Sequence, residues 1–213
     1  MLSDADKKEV AKRLEELTAP VTVKLFTQVL AGTCQYCAET ESLLKETCAL
    51  SDKLTLEVVN FAGDAEVVES YGVDKIPAVV IEGKTDHGIR LYGIPAGYEF
   101  AVVLDTMMMV SNNDSDLPES VKVAAQAIDK PVHIQVFSTP TCPYCPRAAM
   151  TAIQLAMVNP QIRADVVEIT EYPHLAQKYG VMGVPKVVIN ETHGFEGALP
   201  VEAFLEQIQE AVA

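Results

Sequence analysis

The chain repeats itself. Cys34-Gln-Tyr-Cys37 falls on Cys142-Pro-Tyr-Cys145 at an offset of 108 residues. The same offset carries Tyr71-Gly-Val73 onto Tyr179-Gly-Val181, and Pro77-Ala-Val-Val-Ile81 onto Pro185-Lys-Val-Val-Ile189. Self-similarity at that period makes each copy a unit of about a hundred residues, long enough to bury its own core. The repeat predicts two domains, residues 1–112 and 113–213. It also restricts the fold to one that the same order of elements can build twice.

Hydrophobic periodicity gives that order. Ser3-Asp-Ala-Asp6 has capping-box spacing, Val10, Leu14 and Leu17 follow at helical intervals, and Pro20 marks the stop. In the second copy Asp116 is the expected cap, Pro118 lies near the first turn and the helix reaches Ile128. Val21–Phe26 and Val132–Phe137 alternate as strands, related by an offset of 111. The first copy therefore has three more residues between strand and CxxC, over 27–33 against 138–141. A helix follows each CxxC, then a strand at 54–60 and at 164–169, then a short helix ending at Tyr71 or Tyr179. Ala78–Ile81 and Lys186–Asn190 read as strands, each followed by a further short one, near Ile89–Tyr92 and before Gly197. Amphipathic helices close both copies, burying Phe100, Val103, Leu104 and Met107 in one and Phe204, Leu205, Ile208 and Val212 in the other. The order αβαβαββα, twice, specifies an α/β fold with a central mixed β-sheet flanked by helices in each domain. Ser111–Asp116 is the polar stretch suited to a flexible linker, and Met107–Met109 to packing.

Charge narrows the function. The net charge is −14, with 10 Lys and Arg against 18 Asp and Glu through Asn113 and 6 against 12 beyond it. Neither half is basic, which argues against nucleic acid as a partner. The N-terminus has no signal-peptide pattern and no apolar run approaches a membrane span, so a cytoplasmic protein with no membrane association is expected. Cysteine pairs in that compartment are more often catalytic than structural.

A cysteine at a helix start meets unpaired backbone N–H groups and the positive end of the helix dipole, which favour the thiolate. Cys34 and Cys142 are placed to act as nucleophiles. Cys37 and Cys145 follow at i+3 on the same face, where each can attack a mixed disulfide and release the product. Pro143 removes an N–H that Gln35 keeps, so the two motifs should differ in thiolate stability. Ile76-Pro77 and Val184-Pro185 suit a strand edge or a cis peptide. Beside the cysteines, the backbone of Ile76 and Val184 could pair with an extended substrate. Tyr36 and Tyr144, inside the motifs, join this candidate substrate-binding set.

The rival for two CxxC pairs is a non-catalytic, zinc-held or scaffold protein. Against zinc, 104 residues separate the pairs and each has its own αβ unit. No metal ligand set is assigned, and His87, His133, His174 and His193 share no ligand spacing. Cys48 reads as a small buried apolar residue. Glu168 reads as a solvent-facing side chain, although a buried acid there could take the resolving thiol's proton.

In Thr-Cys-x-x-Cys after a strand, and in Tyr-Gly-Val followed by Ile-Pro or Val-Pro, each half resembles the thioredoxin/glutaredoxin superfamily. The whole chain resembles the two-domain protein disulfide oxidoreductases, or glutaredoxin-like proteins, of archaea and bacteria. The resemblance implies two tandem thioredoxin-like domains and an enzyme that reduces, forms or isomerises protein disulfides. It implies cis-prolines at Pro77 and Pro185, disulfide-containing protein substrates, and a thioredoxin-reductase-type flavoprotein as electron donor. No cofactor is called for beyond the Cys34–Cys37 and Cys142–Cys145 disulfides, since a dithiol carries two electrons. The likeness is stronger at the second motif, which is expected to be the more active. The alternative within the same chemistry is an electron relay between a flavoprotein reductase and a peroxidase.

Overall fold

A computed structural model describes residues 2–28 and 34–213. The first copy runs α1 (Asp4–Leu14), β1 (Val21–Thr27), α2 (Cys37–Cys48), β2 (Leu54–Asn60), α3 (Ala65–Ser70), β3 (Ala78–Glu82), β4 (Ile89–Tyr92) and α4 (Tyr98–Asn112). The second runs α5 (Glu119–Gln126), β5 (Val132–Ser138), α6 (Cys145–Val158), β6 (Ile162–Glu168), α7 (Pro173–Lys178), β7 (Lys186–Ile189), β8 (His193–Glu196) and α8 (Val201–Val212). Both copies have the order read from the periodicities. The longer loop expected over 27–33 lies largely outside the described residues.

The chain divides into two compact units. One takes the residues up to Asp86 with Arg90–Ile94 and Met107–Asn113; the other takes His87–Ile89, Pro95–Thr106 and Asp114–Ala213. The first has strand order β2-β1-β3-β4 and the second β6-β5-β7-β8, the same order carried through the repeat. In each, the first strand pairs parallel with the second and antiparallel with the third, so the sheets are mixed. Phe26 pairs with Val59 and Ala78, and its counterpart Phe137 with Val167 and Lys186.

These central strands are buried because their apolar residues meet helices on the faces. Val23, Leu25, Phe26, Leu44 and Ile81 lie in the first core, Ile134, Phe137, Ile153 and Phe204 in the second. Burying each such side chain contributes about 1.5–3 kcal/mol. Phe26 packs against Tyr71 with ring centroids 5.6 Å apart, and Phe137 against Tyr179 at 5.2 Å. The tyrosine of the Tyr-Gly-Val signature, itself half-buried, thus packs its ring on the core.

The rest of the signature is a helix stop. After α3, Gly72 takes φ +59°, its N–H bonds to Glu69 O, and the Val73 N–H reaches back to Val68 O at 3.1 Å. After α7, Gly180 (φ +58°) bonds to Gln177 O and Val181 to Ala176 O. Both are Schellman caps, in which a glycine adopts the left-handed conformation that a side chain disfavours. They turn the chain toward Ile76-Pro77 and Val184-Pro185.

Several boundaries differ from expectation. The capping box at Ser3 forms with Asp6, but α1 ends at Leu14; Leu17 is buried beyond the helix. Asp116 does not cap α5: its φ is +56° and Pro118 holds the N-cap position. The stretch 111–116 is not a free linker at its start. Ser111 lies within α4, where its hydroxyl accepts from the Thr18 and Ala19 N–H groups and donates to Ala19 O. Met107 and Met109 are buried, as packing requires.

Candidate active sites

Each helix α2 and α6 begins at the second cysteine of its motif, not the first. Tyr36 and Tyr144 are the N-cap residues, so Cys34 and Cys142 sit in the turn just ahead of the helix. Pro143 consequently lies outside α6, and Pro146 occupies the first turn. Both motifs are closed disulfides, with Cα atoms 5.6 Å apart in Cys34–Cys37 and 5.5 Å in Cys142–Cys145. In the second motif the backbone N–H of Cys145 is aimed at Cys142 Sγ from 3.1 Å. A thiolate formed there would meet that donor at once, which lowers its free energy relative to the thiol. Cys142 is 7% exposed and Cys145 fully buried, so the first sulfur is the one a partner can approach. The first motif grades the same way, with Cys34 half-buried and Cys37 buried.

Ile76–Pro77 and Val184–Pro185 are both cis peptides. The carbonyl oxygen of Val184 lies 3.7 Å from Cys142 Sγ, which brings the loop ahead of β7 onto the second disulfide. The prolines' own carbonyls are held from behind: Gly93 N–H bonds to Pro77 O and Gly197 N–H to Pro185 O. Tyr144 stands out at 71% exposed, whereas Tyr36 is half-buried.

The second motif rests on a polar base that the sequence did not disclose. Glu99, at the start of α4, is 7% exposed and accepts a hydrogen bond from the Ser138 hydroxyl at the end of β5. Burial pushes its carboxyl up to about 8; the Ser138 hydroxyl opposes this, and the charges of Glu168 and Glu171 add to it. A carboxyl of that kind exchanges its proton near neutral pH. Two residues earlier, Gly97 has φ +57° and a Cβ there would run into the Pro140 carbonyl oxygen. That same oxygen accepts from the Tyr98 N–H at 3.0 Å, and Cys142 N–H bonds to Thr139 O at 3.1 Å. Residues 97–99 therefore grip the loop 138–142 that presents the sulfur. Glu168 is not solvent-facing as its strand position suggested. It is 2% exposed, and its carboxylate accepts from the Thr170 N–H and hydroxyl and from the Glu171 N–H. Asn60, its counterpart, is exposed and caps its own turn through Ala62 and Gly63.

Cys48 is the free cysteine; burial pushes its thiol up to about 11. His133 bonds to the buried Asp165 at 2.7 Å, and Arg163 holds the same carboxylate at 2.8 Å. Among the described residues no group of three or more His, Cys, Asp or Glu is arranged to hold a metal ion, and no helix is long and apolar enough to cross a membrane.

A family model described as thioredoxin domain matches residues 26–99 and 132–210. The protein disulfide oxidoreductase from Aeropyrum pernix superposes with a TM-score of 0.91 at 32% identity, covering 99% of this chain and 94% of that one. The NTD_N/C domain of the alkylhydroperoxide reductase AhpF from Enterococcus faecalis superposes at 0.89 with 25% identity, over 98% of this chain and 100% of that one. A Pseudomonas aeruginosa alkyl hydroperoxide reductase protein is 25% identical over 171 residues, 80% of this chain and 31% of that protein. The chain spans 31% to 36% of the length of such curated relatives. It belongs to the thioredoxin-domain family, as two such domains in tandem, each with a CxxC disulfide, in the arrangement of a protein disulfide oxidoreductase.

Proposed function

We propose that the chain exchanges electron pairs with protein disulfides at two sites, Cys34–Cys37 and Cys142–Cys145, one in each of the domains 1–112 and 113–213. In the reducing direction the Cys142 thiolate attacks a substrate disulfide, forming a mixed disulfide and expelling one substrate thiolate. The Cys145 thiolate then attacks Cys142 sulfur and expels the other. The substrate gains two electrons and, with two protons, two thiols; the protein gains its disulfide. Cys34 and Cys37 do the same at the first site. Ile76 with Pro77, and Val184 with Pro185, supply backbone beside the sulfur on which an extended substrate segment can lie, with Tyr36 and Tyr144 at the rim. The observation that carries this reading is the contact set of Cys142 Sγ, with the Val184 carbonyl at 3.7 Å and the Cys145 N–H at 3.1 Å.

Replacing Cys142 or Cys34 by Ser separately, and assaying reduction of a protein disulfide, tests it. The expected result is a loss of a hundredfold or more at the altered site, with the second site contributing most of the wild-type rate. Full activity in both variants would refute the reading.

The full-length likeness to an N-terminal segment of an alkylhydroperoxide reductase supports a second use of the same chemistry. There the chain relays electrons from a thioredoxin-reductase-type flavoprotein to a peroxide-reducing protein. Reduction of Cys142–Cys145 by such a flavoprotein and NADPH or NADH, followed optically, distinguishes a relay from a free-standing reductase fed by small thiols.

A further inference from the structure

The two sites share a backbone and differ in what surrounds the sulfur. At the second, Met182 precedes Gly183, Val184 and Pro185, and its side chain is 92% exposed. Tyr144 projects from within the motif, and Arg147 is exposed in the first turn of α6. At Gly183 a Cβ would meet nothing within 4 Å, so the strip between Met182 and Val184 is open. At matching places the first site has Asp74 and Lys75 for Met182 and Gly183, and Glu39 for Arg147. Asp74 and Lys75 pair at 2.5 Å, and the Lys75 ammonium lies 3.7 Å from the centre of the Tyr92 ring. That cation is thus already partnered by a carboxylate and a ring face. Among the described residues of the first rim, the charge left exposed to a visitor is that of the Glu39 and Asp74 carboxylates.

A substrate cysteine must come within bonding distance of Cys142 Sγ. Its chain neighbours then lie along the Val184 carbonyl, 3.7 Å from that sulfur, where the exposed residues next to Val184 and Cys142 in the chain are the first they meet. Met182 is two residues from Val184 and Tyr144 two from Cys142. A methionine left in water gains from covering by an apolar group, adapts its shape to it, and gains nothing from a cation. Arg147 adds repulsion for a basic neighbour, while Glu39 and Asp74 attract one.

We propose that the two disulfides read different substrates: Cys142 takes an extended segment whose cysteine has an apolar neighbour, seated on Met182 and Tyr144, and Cys34 takes one with a basic neighbour. This rests on the reading of both motifs as exchange sites.

The test uses the full chain with one site removed, either Cys34→Ser with Cys37→Ser or Cys142→Ser with Cys145→Ser. Three substrates are compared: 2-hydroxyethyl disulfide, and two disulfide peptides identical except for Leu or Lys after the cysteine. The chain with only the second site should prefer the Leu peptide by about tenfold, the scale of one apolar contact covered. The chain with only the first site should prefer the Lys peptide. Met182→Asp should pull the second site's ratio toward or below unity, and Asp74→Met should raise the first site's use of the Leu peptide. The readout is a ratio on one protein, so partial misfolding of either variant cancels. The same peptide ranking at both sites, or ratios that neither substitution moves, would overturn the proposal while leaving exchange intact. Failure of both single-site chains on 2-hydroxyethyl disulfide would overturn the exchange reading, and the proposal with it.

Discussion

Glu99 shows how one side chain links fold to chemistry. Its carboxyl is pushed up to about 8 from an ordinary 4.5, so between those pH values the folded protein holds a proton that the unfolded chain releases. Stability attributable to Glu99 is therefore present below about pH 4.5, falls as pH rises toward 8, and is level above it. The change is on the order of a few kcal/mol at about 1.4 kcal/mol per pH unit. Glu99→Gln stays neutral, so denaturant midpoints measured from pH 5 to 9 should slope less than in the wild type; parallel curves would contradict the placement of a protonated acid there. Gly97 is the companion case. Ala at that position must displace the Pro140 carbonyl that Tyr98 N–H holds. Gly97→Ala should thus shift the reduction potential of Cys142–Cys145 and leave that of Cys34–Cys37, measured by alkylation against a redox buffer, where it was. Neither residue was legible in the sequence, because Glu99 and Ser138 stand 39 positions apart and no periodicity marks a contact of that range. The four motif cysteines were legible because their spacing is local and occurs twice.

Among the elements, local signals predicted local outcomes. Alternation gave β1 and β5 nearly to the residue, and Tyr-Gly-Val marked the ends of α3 and α7 because a Schellman cap is written in consecutive residues. Gly180→Ala meets no neighbour within 4 Å, so its effect isolates the left-handed backbone alone. It should cost about 1–2 kcal/mol in stability, read as a lowered denaturation midpoint. Because the cap directs the chain to Val184, the same substitution should slow reaction at Cys142 more than at Cys34. The misjudged elements depended on distant partners. Leu17 has helical spacing, yet its backbone leaves the helix, and Lys53 donates to its carbonyl from beyond α2. Asp116 looked like a cap, but Pro118 already supplies the extended conformation an N-cap requires (φ −57°, ψ 145°). Ser111 looked like linker because nothing in its neighbourhood announces Thr18 and Ala19, more than 90 positions away. Glu168 was misplaced for the same reason: it read as an ordinary solvent-facing acid, whereas β6 is buried at nearly every position.

For the molecule as a whole, duplication was the most legible property, and it carried the fold class with it. The copies have since diverged at the sites themselves: Glu168 against Asn60, Ser138 against Thr27, Met182 against Asp74, Arg147 against Glu39. The strand order stays the same across these differences. Two sites on one scaffold can therefore hold different potentials, and a tenfold difference in equilibrium needs only about 30 mV. The central claim is that both pairs are working dithiols and the fifth cysteine is not. The most direct test equilibrates the native protein across a series of dithiothreitol or glutathione buffers, quenches with an alkylating reagent and counts labels by mass. Two separate two-electron transitions are predicted, at Cys34–Cys37 and Cys142–Cys145, with Cys48 unlabelled until the protein is unfolded. A motif that stays unlabelled under full reduction, or a native Cys48 that labels alongside the pairs, would contradict the account.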